Sequence, residues 1–152
     1  AAKTCNKLII LVMENYGKKF NFSSEQRLEL VQIALNELQI ADCQIEVKIS
    51  DKLLIDEYIA LNADFVVRGI RNTADLEYEM TYENINKNLY LTKSATKSFE
   101  VMYLLASANL THISSTSVRQ LLTNEQNFAN YAQVWLADVV AQKIKEYFNH
   151  VN

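Results

Sequence analysis

Glycine is almost missing from this 152-residue chain, which carries Gly17 and Gly69 alone, and proline is missing altogether. A dinucleotide fingerprint or a Walker phosphate loop needs several glycines in one place, so neither can be built here. Cysteine is scarce too. Cys5 and Cys43 lack metal-ligand spacing and a partner, and read as small apolar residues of a reducing cytoplasm. The longest apolar run, Leu8-Ile9-Ile10-Leu11-Val12-Met13, is far too short to span a bilayer, and no signal-peptide pattern is visible. Positive charge is not in excess either: a net charge of -3 offers no basic surface, which argues against non-specific nucleic-acid binding. What is present, 49% hydrophobic and 22% charged residues, fits one globular domain over 1–152 with a substantial core.

The chain is organised around Val67-Arg68-Gly69-Ile70-Arg71-Asn72-Thr73-Ala74-Asp75-Leu76-Glu77-Tyr78-Glu79. The β-branched and aromatic residues of 63–67 predict a short buried strand before it. Thr73 or Asp75 can cap a helix that runs to about Leu89. Both arginines then stand where a strand ends and a helix begins, the edge at which open α/β sheets bind ligands. Guanidinium forks match phosphate or carboxylate, and a glycine between them permits close approach. Asp75 and Glu79 share a helix face and can accept hydrogen bonds from ligand hydroxyls. On these residues alone, a surface ion-pair network fits as well as a phosphate site.

Along the chain, residues 1–6 resemble the last turn of a helix, and 7–13 predict a strand covered on both faces. A loop with Lys18 and Lys19 follows; Ser23 and Gln26 then form a capping box for a helix with the stripe Leu28, Val31, Leu35 and Leu38. Residues 44–49 alternate as a half-buried strand, with Ile45, Val47 and Ile49 on one side. Asp51 can cap a short helix carrying Leu54, Ile55, Tyr58 and Ile59. The helix after the central motif has one stripe of Tyr78, Tyr82, Ile85 and Leu89, and a second of Leu76 and Met80. It fits either a subunit contact or a helix wedged into one core. Residues 86–98 read as a polar loop and 98–105 as a strand. Ile113-Ser114-Ser115-Thr116-Ser117-Val118-Arg119 is a hydroxyl cluster opening a helix, and a last helix over 133–148 buries Ala137, Val140, Ile144 and Phe148. The order β-α-β-α-β-α-β-α-α is an α/β layout with a parallel sheet.

Three loops thus follow three strands: Lys18 and Lys19, then Arg68 and Arg71, then the hydroxyl cluster. A parallel sheet places such loops on one edge. A helix opened by Ser114, Ser115 and Thr116 favours phosphate through its free N–H groups, and Arg119 lies one turn further in. The convergence favours a polyphosphate site over the ion-pair network.

These residues resemble a known family. Arg68-Gly69-Ile70-Arg71, followed by Asp75 and Glu77-Tyr78-Glu79, is similar to the signature of bacterial phosphopantetheine adenylyltransferases. Residues 113–119 resemble the Ile-Ser-Ser-Ser/Thr-x-Val/Ile-Arg/Lys motif of the wider nucleotidyltransferase superfamily, shared with nicotinate mononucleotide adenylyltransferases. Gly17-Lys18-Lys19 resembles the family's lysine loop. The resemblance, over most of 7–122, implies a Rossmann-like nucleotidyltransferase fold with a parallel sheet. It also implies transfer of the adenylyl group of ATP to 4′-phosphopantetheine, giving dephospho-coenzyme A and pyrophosphate, in a cytoplasmic homohexamer. By the same resemblance Lys18 and Arg71 are catalytic, while Lys18 and Arg68 contact the acceptor phosphate. Leu54 (or Leu53) lines the pantetheine channel. Gly69, Ile70, Arg71 and Glu79 hold ATP, and Leu110, Thr111, His112, Ile113, Ser114, Ser115 and Thr116 close over its nucleotide and phosphates. Magnesium is expected to arrive with ATP, since the sequence shows no carboxylate cage.

One family feature has no counterpart. The superfamily's first motif, Thr-x-Phe-Asp-Pro-x-His-x-Gly-His on a leading strand, matches nothing here. The two histidines, His112 and His150, lack its context. The expectation is therefore of an N-terminally incomplete domain, with the first strand and the family's histidine and threonine missing. Rival readings are a nicotinate mononucleotide adenylyltransferase and a nucleotide-binding pseudoenzyme.

Overall fold

The computed structural model describes residues 1–14, 17, 20–93 and 97–149. The elements are β1 (Lys7–Met13), α1 (Ser24–Asn36), β2 (Gln44–Ser50), α2 (Leu54–Ala60), β3 (Val66–Ile70), α3 (Thr73–Leu91), β4 (Val101–Leu105), α4 (Ser115–Leu121), α5 (Glu125–Trp135) and α6 (Asp138–Asn149), with a 3-10 turn at Ala108–Leu110 before α4. They form two compact units. One holds Lys52–His112 together with Ala1; the other joins Ala2–Asp51 to Ile113–Asn152. The parallel α/β expectation holds as two ladders, β1 with β2 and β3 with β4. Each pair has a long helix between its strands in sequence, as a parallel connection requires. No helix among the described residues is long and apolar enough to cross a membrane.

In the unit holding β1 and β2, Lys7 pairs with Gln44 and the register continues to Met13 with Ser50. Residues 8–13 are half-buried or buried at both parities, as a strand covered on two faces should be. The Ser23 capping box forms as expected: the Ser23 hydroxyl accepts from Gln26 N at 3.2 Å, and Gln26 Oε1 accepts from Ser23 N at 2.9 Å. The core is Phe128 and Ala132 of α5 with Val140, Ala141 and Ile144 of α6, and Leu30, Ile33 and Ala34 of α1 pack against it.

Several sequence expectations are corrected in this unit. Residues 1–6 are turns, not a helix. Leu38 lies beyond the end of α1 and is 56% exposed, so it leaves the predicted stripe. On β2, Ile45 and Val47 are half-buried but Ile49 is exposed. The single helix expected over 133–148 is two. Leu136 is extended at φ -124, ψ 147, which ends α5. The Ala137 carbonyl then accepts from Val140 N and Ala141 N to start α6, leaving Ala137 itself exposed.

In the other unit, Ile55 and Tyr58 of α2 pack with Tyr90 of α3 and Phe99, and Ile55 is fully buried. Tyr58 and Phe99 meet edge to face at 4.8 Å, and the Tyr58 hydroxyl lies 3.0 Å from both the Asp64 and Ser98 carbonyls. That single aromatic anchors the segments entering β3 and β4. Asp51 does not cap α2; Leu53 holds the cap position without a side-chain bond, two residues too late for the Asp51 carboxylate. Ile59, predicted apolar on α2, is 39% exposed. Residues 86–91, expected as loop, continue α3 because Leu89 and Tyr90 pack on this core. Strand β4 starts at Val101, and Leu105 at its end is exposed.

Candidate functional site

The strand reaches three residues further into the central motif than the sequence predicts, ending at Ile70 instead of Val67. Strand β3 runs through Arg68, Gly69 and Ile70, because these pair with Tyr103, Leu104 and Leu105 of β4. Arg68 is therefore a strand residue, and Arg71 follows the last one. Gly69 sits in the strand, not in a loop, and no left-handed backbone is needed there. A Cβ added at Gly69 would meet nothing within 4 Å, so the backbone at this point faces open space. The helix cap is also different from either predicted residue. Asn72 caps α3, its side chain accepting from Asp75 N at 2.9 Å. This leaves the Asp75 carboxylate for another task.

That task is to hold Arg71. Asp75 Oδ2 accepts from Arg71 Nε at 2.8 Å and from the Arg71 backbone N at 3.1 Å, while Oδ1 accepts from Nη2 at 2.9 Å. One turn further along α3, Glu79 makes the same side-on fork with Arg68, at 2.5 Å to Nε and 2.9 Å to Nη2. The carboxylates expected to meet ligand hydroxyls thus grip the arginines. A carboxylate has about four lone-pair sites, so each fork leaves acceptor capacity for a ligand. Bidentate pairing fixes the plane of each guanidinium, which a lysine at the same place could not reproduce.

The pattern continues. Glu83, the next residue on this stripe, accepts a hydrogen bond from the Tyr103 hydroxyl and pairs with Lys87 at 2.6 Å. Arg68 and Tyr103 are register partners on adjacent strands, which lie about 4.8 Å apart. Residues four apart on a helix are about 6 Å apart. The two spacings match closely enough for Glu79 and Glu83 to serve neighbouring strands. Sequence reasoning named Asp75 and Glu79 but missed Glu83 and Tyr103. The readable signal was the i, i+4 series Asp75, Glu79, Glu83, Lys87.

These contacts set the protonation of the site. The Arg71 hydrogen bond holds the Asp75 carboxyl below its usual range, and Asp75 in turn raises the Arg71 guanidinium. Lys87, then Tyr103, lowers Glu83. Burial, reinforced by Glu83, pushes Tyr103 up to about 12, so it stays a hydroxyl donor at neutral pH. Because the folded-state value of Asp75 is depressed, its contribution to stability is complete above the unfolded value near 4. It is lost as pH falls through the lower folded value. Urea midpoints for wild type and Asp75→Asn should differ at pH 7 and converge as pH drops below about 4. A constant difference would show that the pair is not what Asp75 supplies.

The remaining predicted site residues divide as follows. Leu54 is half-buried against the Ile55 cluster, while Leu53 is 56% exposed. Leu110 ends the 3-10 turn, 47% exposed, and the Thr111 hydroxyl beside it donates to the Ala108 carbonyl at 3.0 Å. His112 is exposed. Ile113, Ser114, Ser115 and Thr116 belong to the other unit, where Ser114 caps α4 and accepts from Ser117 N at 3.0 Å. Arg119 donates to Thr116 Oγ1 at 3.0 Å. Lys18 and Lys19 lie outside the described residues. The ends of the stretch that carries them are tied by a residue the sequence left unassigned. Arg27 donates to the Met13 carbonyl at 2.9 Å and to Ser24 Oγ at 3.0 Å, Ser24 Oγ donates to Glu14 at 2.6 Å, and the Arg27 guanidinium lies 4.1 Å over the Phe20 ring.

Comparison with known proteins shows the family. The family described as cytidylyltransferase-like matches residues 1–121. A phosphopantetheine adenylyltransferase of Clostridium beijerinckii is 30% identical over 120 residues, covering 79% of this chain and 69% of the relative. One from Dictyoglomus thermophilum is 29% identical over 147 residues, covering 97% and 81%. One from Staphylococcus saprophyticus is 28% identical over 146 residues, covering 96% and 84%. With Arg68 and Arg71 set in their carboxylate forks at the end of a parallel strand, the chain belongs to the cytidylyltransferase-like family and, within it, to the phosphopantetheine adenylyltransferases.

Proposed function

We propose that this chain transfers the adenylyl group of ATP to the phosphate of 4′-phosphopantetheine, giving dephospho-coenzyme A and pyrophosphate in coenzyme A biosynthesis. The observation that carries the reading is the Arg68-Gly69-Ile70-Arg71 segment, with both guanidiniums already oriented by Glu79 and Asp75. Attack on an α-phosphate builds negative charge on its equatorial oxygens. Pre-oriented cations and N–H donors lower that barrier without a covalent intermediate, because no reorganisation is needed when the charge develops. Arg71 serves the ATP phosphates and Arg68 the acceptor phosphate. Gly69 and Ile70 offer a backbone edge to the nucleotide, and Glu79 uses its remaining acceptor capacity on an ATP hydroxyl. Lys18 also contacts the acceptor phosphate, and Leu54 lines the pantetheine channel. Residues 110–116 close over the nucleotide and phosphates.

Magnesium enters as part of the substrate, bound to ATP. The Asp75 and Glu79 carboxylates are already engaged by arginines, which fits a metal carried by the nucleotide. The reading places the protein in the cytoplasm, where both substrates are made, and in a homo-oligomer of the hexameric kind. Support for assembly comes from α3, where Tyr78, Met80, Tyr82 and Ile85 are each more than 40% exposed on one helix. An exposed apolar series of that size is usual at an interface between copies.

Two substitutions separate the half-sites. Glu79→Ala should raise the KM for ATP and, because Glu79 orients Arg68, weaken phosphopantetheine binding as well, whereas Lys18→Ala should weaken phosphopantetheine binding and leave the KM for ATP nearly unchanged. Titrating each ligand into each variant reads the pattern. A raised KM for ATP in Lys18→Ala, with phosphopantetheine binding intact, would exchange the two half-sites.

A further inference from the structure

The two cysteines stand 38 residues apart in sequence, yet their sulfur atoms lie 3.8 Å apart. The sequence reading gave them no partner; the fold makes each the other's neighbour. The cause is the parallel register. Lys7 pairs with Gln44, and Gln44 N donates to the Asn6 carbonyl at 2.8 Å, so the residues just before β1 and β2 run side by side. No disulfide joins the thiols. Cys5 is half-buried, whereas Cys43 is buried and lines a groove with Leu35, Leu38, Ile45 and Val47. Burial first, and then the Cys5 hydrogen bond, holds the Cys43 thiol above its ordinary value.

A pair of small apolar residues could occupy the same place by packing alone. Two features set this pair apart. They are the chain's only cysteines, and their sulfurs face each other. A disulfide needs about 2.0 Å between sulfurs, so bridging requires about 1.8 Å of approach. A peroxide is small enough to enter a narrow opening.

We propose that Cys5 and Cys43 form a reversible disulfide on reaction with hydrogen peroxide, so that the pair is an oxidative modification site. Cys5, the more accessible, attacks as the thiolate: its S–O bond forms as the peroxide O–O bond breaks, and the departing hydroxide takes up a proton and leaves as water. Cys43 then attacks the Cys5 sulfenic sulfur as the thiolate. The S–S bond forms as the S–O bond breaks, and a second water leaves. Two thiols are oxidised to one disulfide while one peroxide is reduced to two waters. A thiol reductant reverses the change by exchange. The bridge closes residues 5–43, with β1 and α1, into one covalent loop and restricts the unfolded chain more than the folded one.

The test treats the protein with hydrogen peroxide, alkylates it with N-ethylmaleimide, and measures its intact mass with and without dithiothreitol. Wild type should lose two hydrogen atoms, lose both alkylation sites, regain them with dithiothreitol, and melt several degrees higher when oxidised. Cys43→Ser should instead retain a sulfenic or further oxidised Cys5 and show no rise in Tm. Cys5→Ser should leave Cys43 alkylatable after unfolding. Two intact thiols after peroxide treatment would overturn the proposal. So would separate oxidation of the two cysteines, or a disulfide between two chains.

Discussion

Arg71→Ala is expected to lower kcat/KM by about 100-fold, roughly 3 kcal/mol, the usual result of removing one transition-state donor. Arg71→Lys should recover part of this, because it restores charge without the planar fork. The geometry adds a condition. Asp75 holds both the backbone N and the guanidinium of Arg71, so it acts on phosphate through Arg71. Asp75→Ala should therefore impair catalysis in wild type and have little further effect in Arg71→Ala. Residues acting as one unit give such non-additive costs. If Arg71→Ala retains full kcat/KM, the phosphate role of Arg71 is wrong. If it fails while Asp75→Ala is silent, only the orienting role of Asp75 is wrong.

The largest stability effect is expected at Ile55. It is the fully buried large side chain at the centre of the α2–α3 core, packed with Tyr58, Tyr90 and Phe99. Ile55→Ala should cost about 2–5 kcal/mol, the sum of lost transfer energy and an unfilled cavity. Edge-to-face aromatic rings on its border resist collapse into the space, which places the cost toward the upper half of that range. Ile55→Val should cost about 1 kcal/mol. Urea denaturation of both variants measures the two steps. Equal and small losses would mean that this core relaxes freely around the cavity.

Much of the framework was legible because its signals are local. The apolar run of 7–13 and the capping residues Ser23 and Gln26 fix β1 and the start of α1 with no knowledge of tertiary contacts. What was misread depends on partners distant in sequence. Gly69 has poor strand propensity, and it joins β3 together with Arg68 because β4 supplies the register. Asn72, Thr73 and Asp75 are all capping types. The choice falls to Asn72 once Asp75 is committed to Arg71. The polar appearance of 86–91 was outweighed by Leu89 and Tyr90 reaching the core. The break between α5 and α6 carries no glycine or proline, so nothing in the local sequence announces it.

The candidate site shows the same division. Arginines and acids at helical spacing were visible, and so was the tension between a phosphate site and an ion-pair network. The fold shows how the two readings coexist: the ion pairs exist, and they orient the cations. Glu83 and Tyr103 escaped notice because a tyrosine on β4 and a glutamate on α3 become neighbours only through the β3–β4 register.

The central claim is the acceptor. The native protein, supplied with magnesium and ATP, should form pyrophosphate and dephospho-coenzyme A in equal amounts when 4′-phosphopantetheine is added, and neither when nicotinate mononucleotide replaces it. Pyrophosphate release with nicotinate mononucleotide alone, or ATP binding with no turnover of either acceptor, would contradict the account.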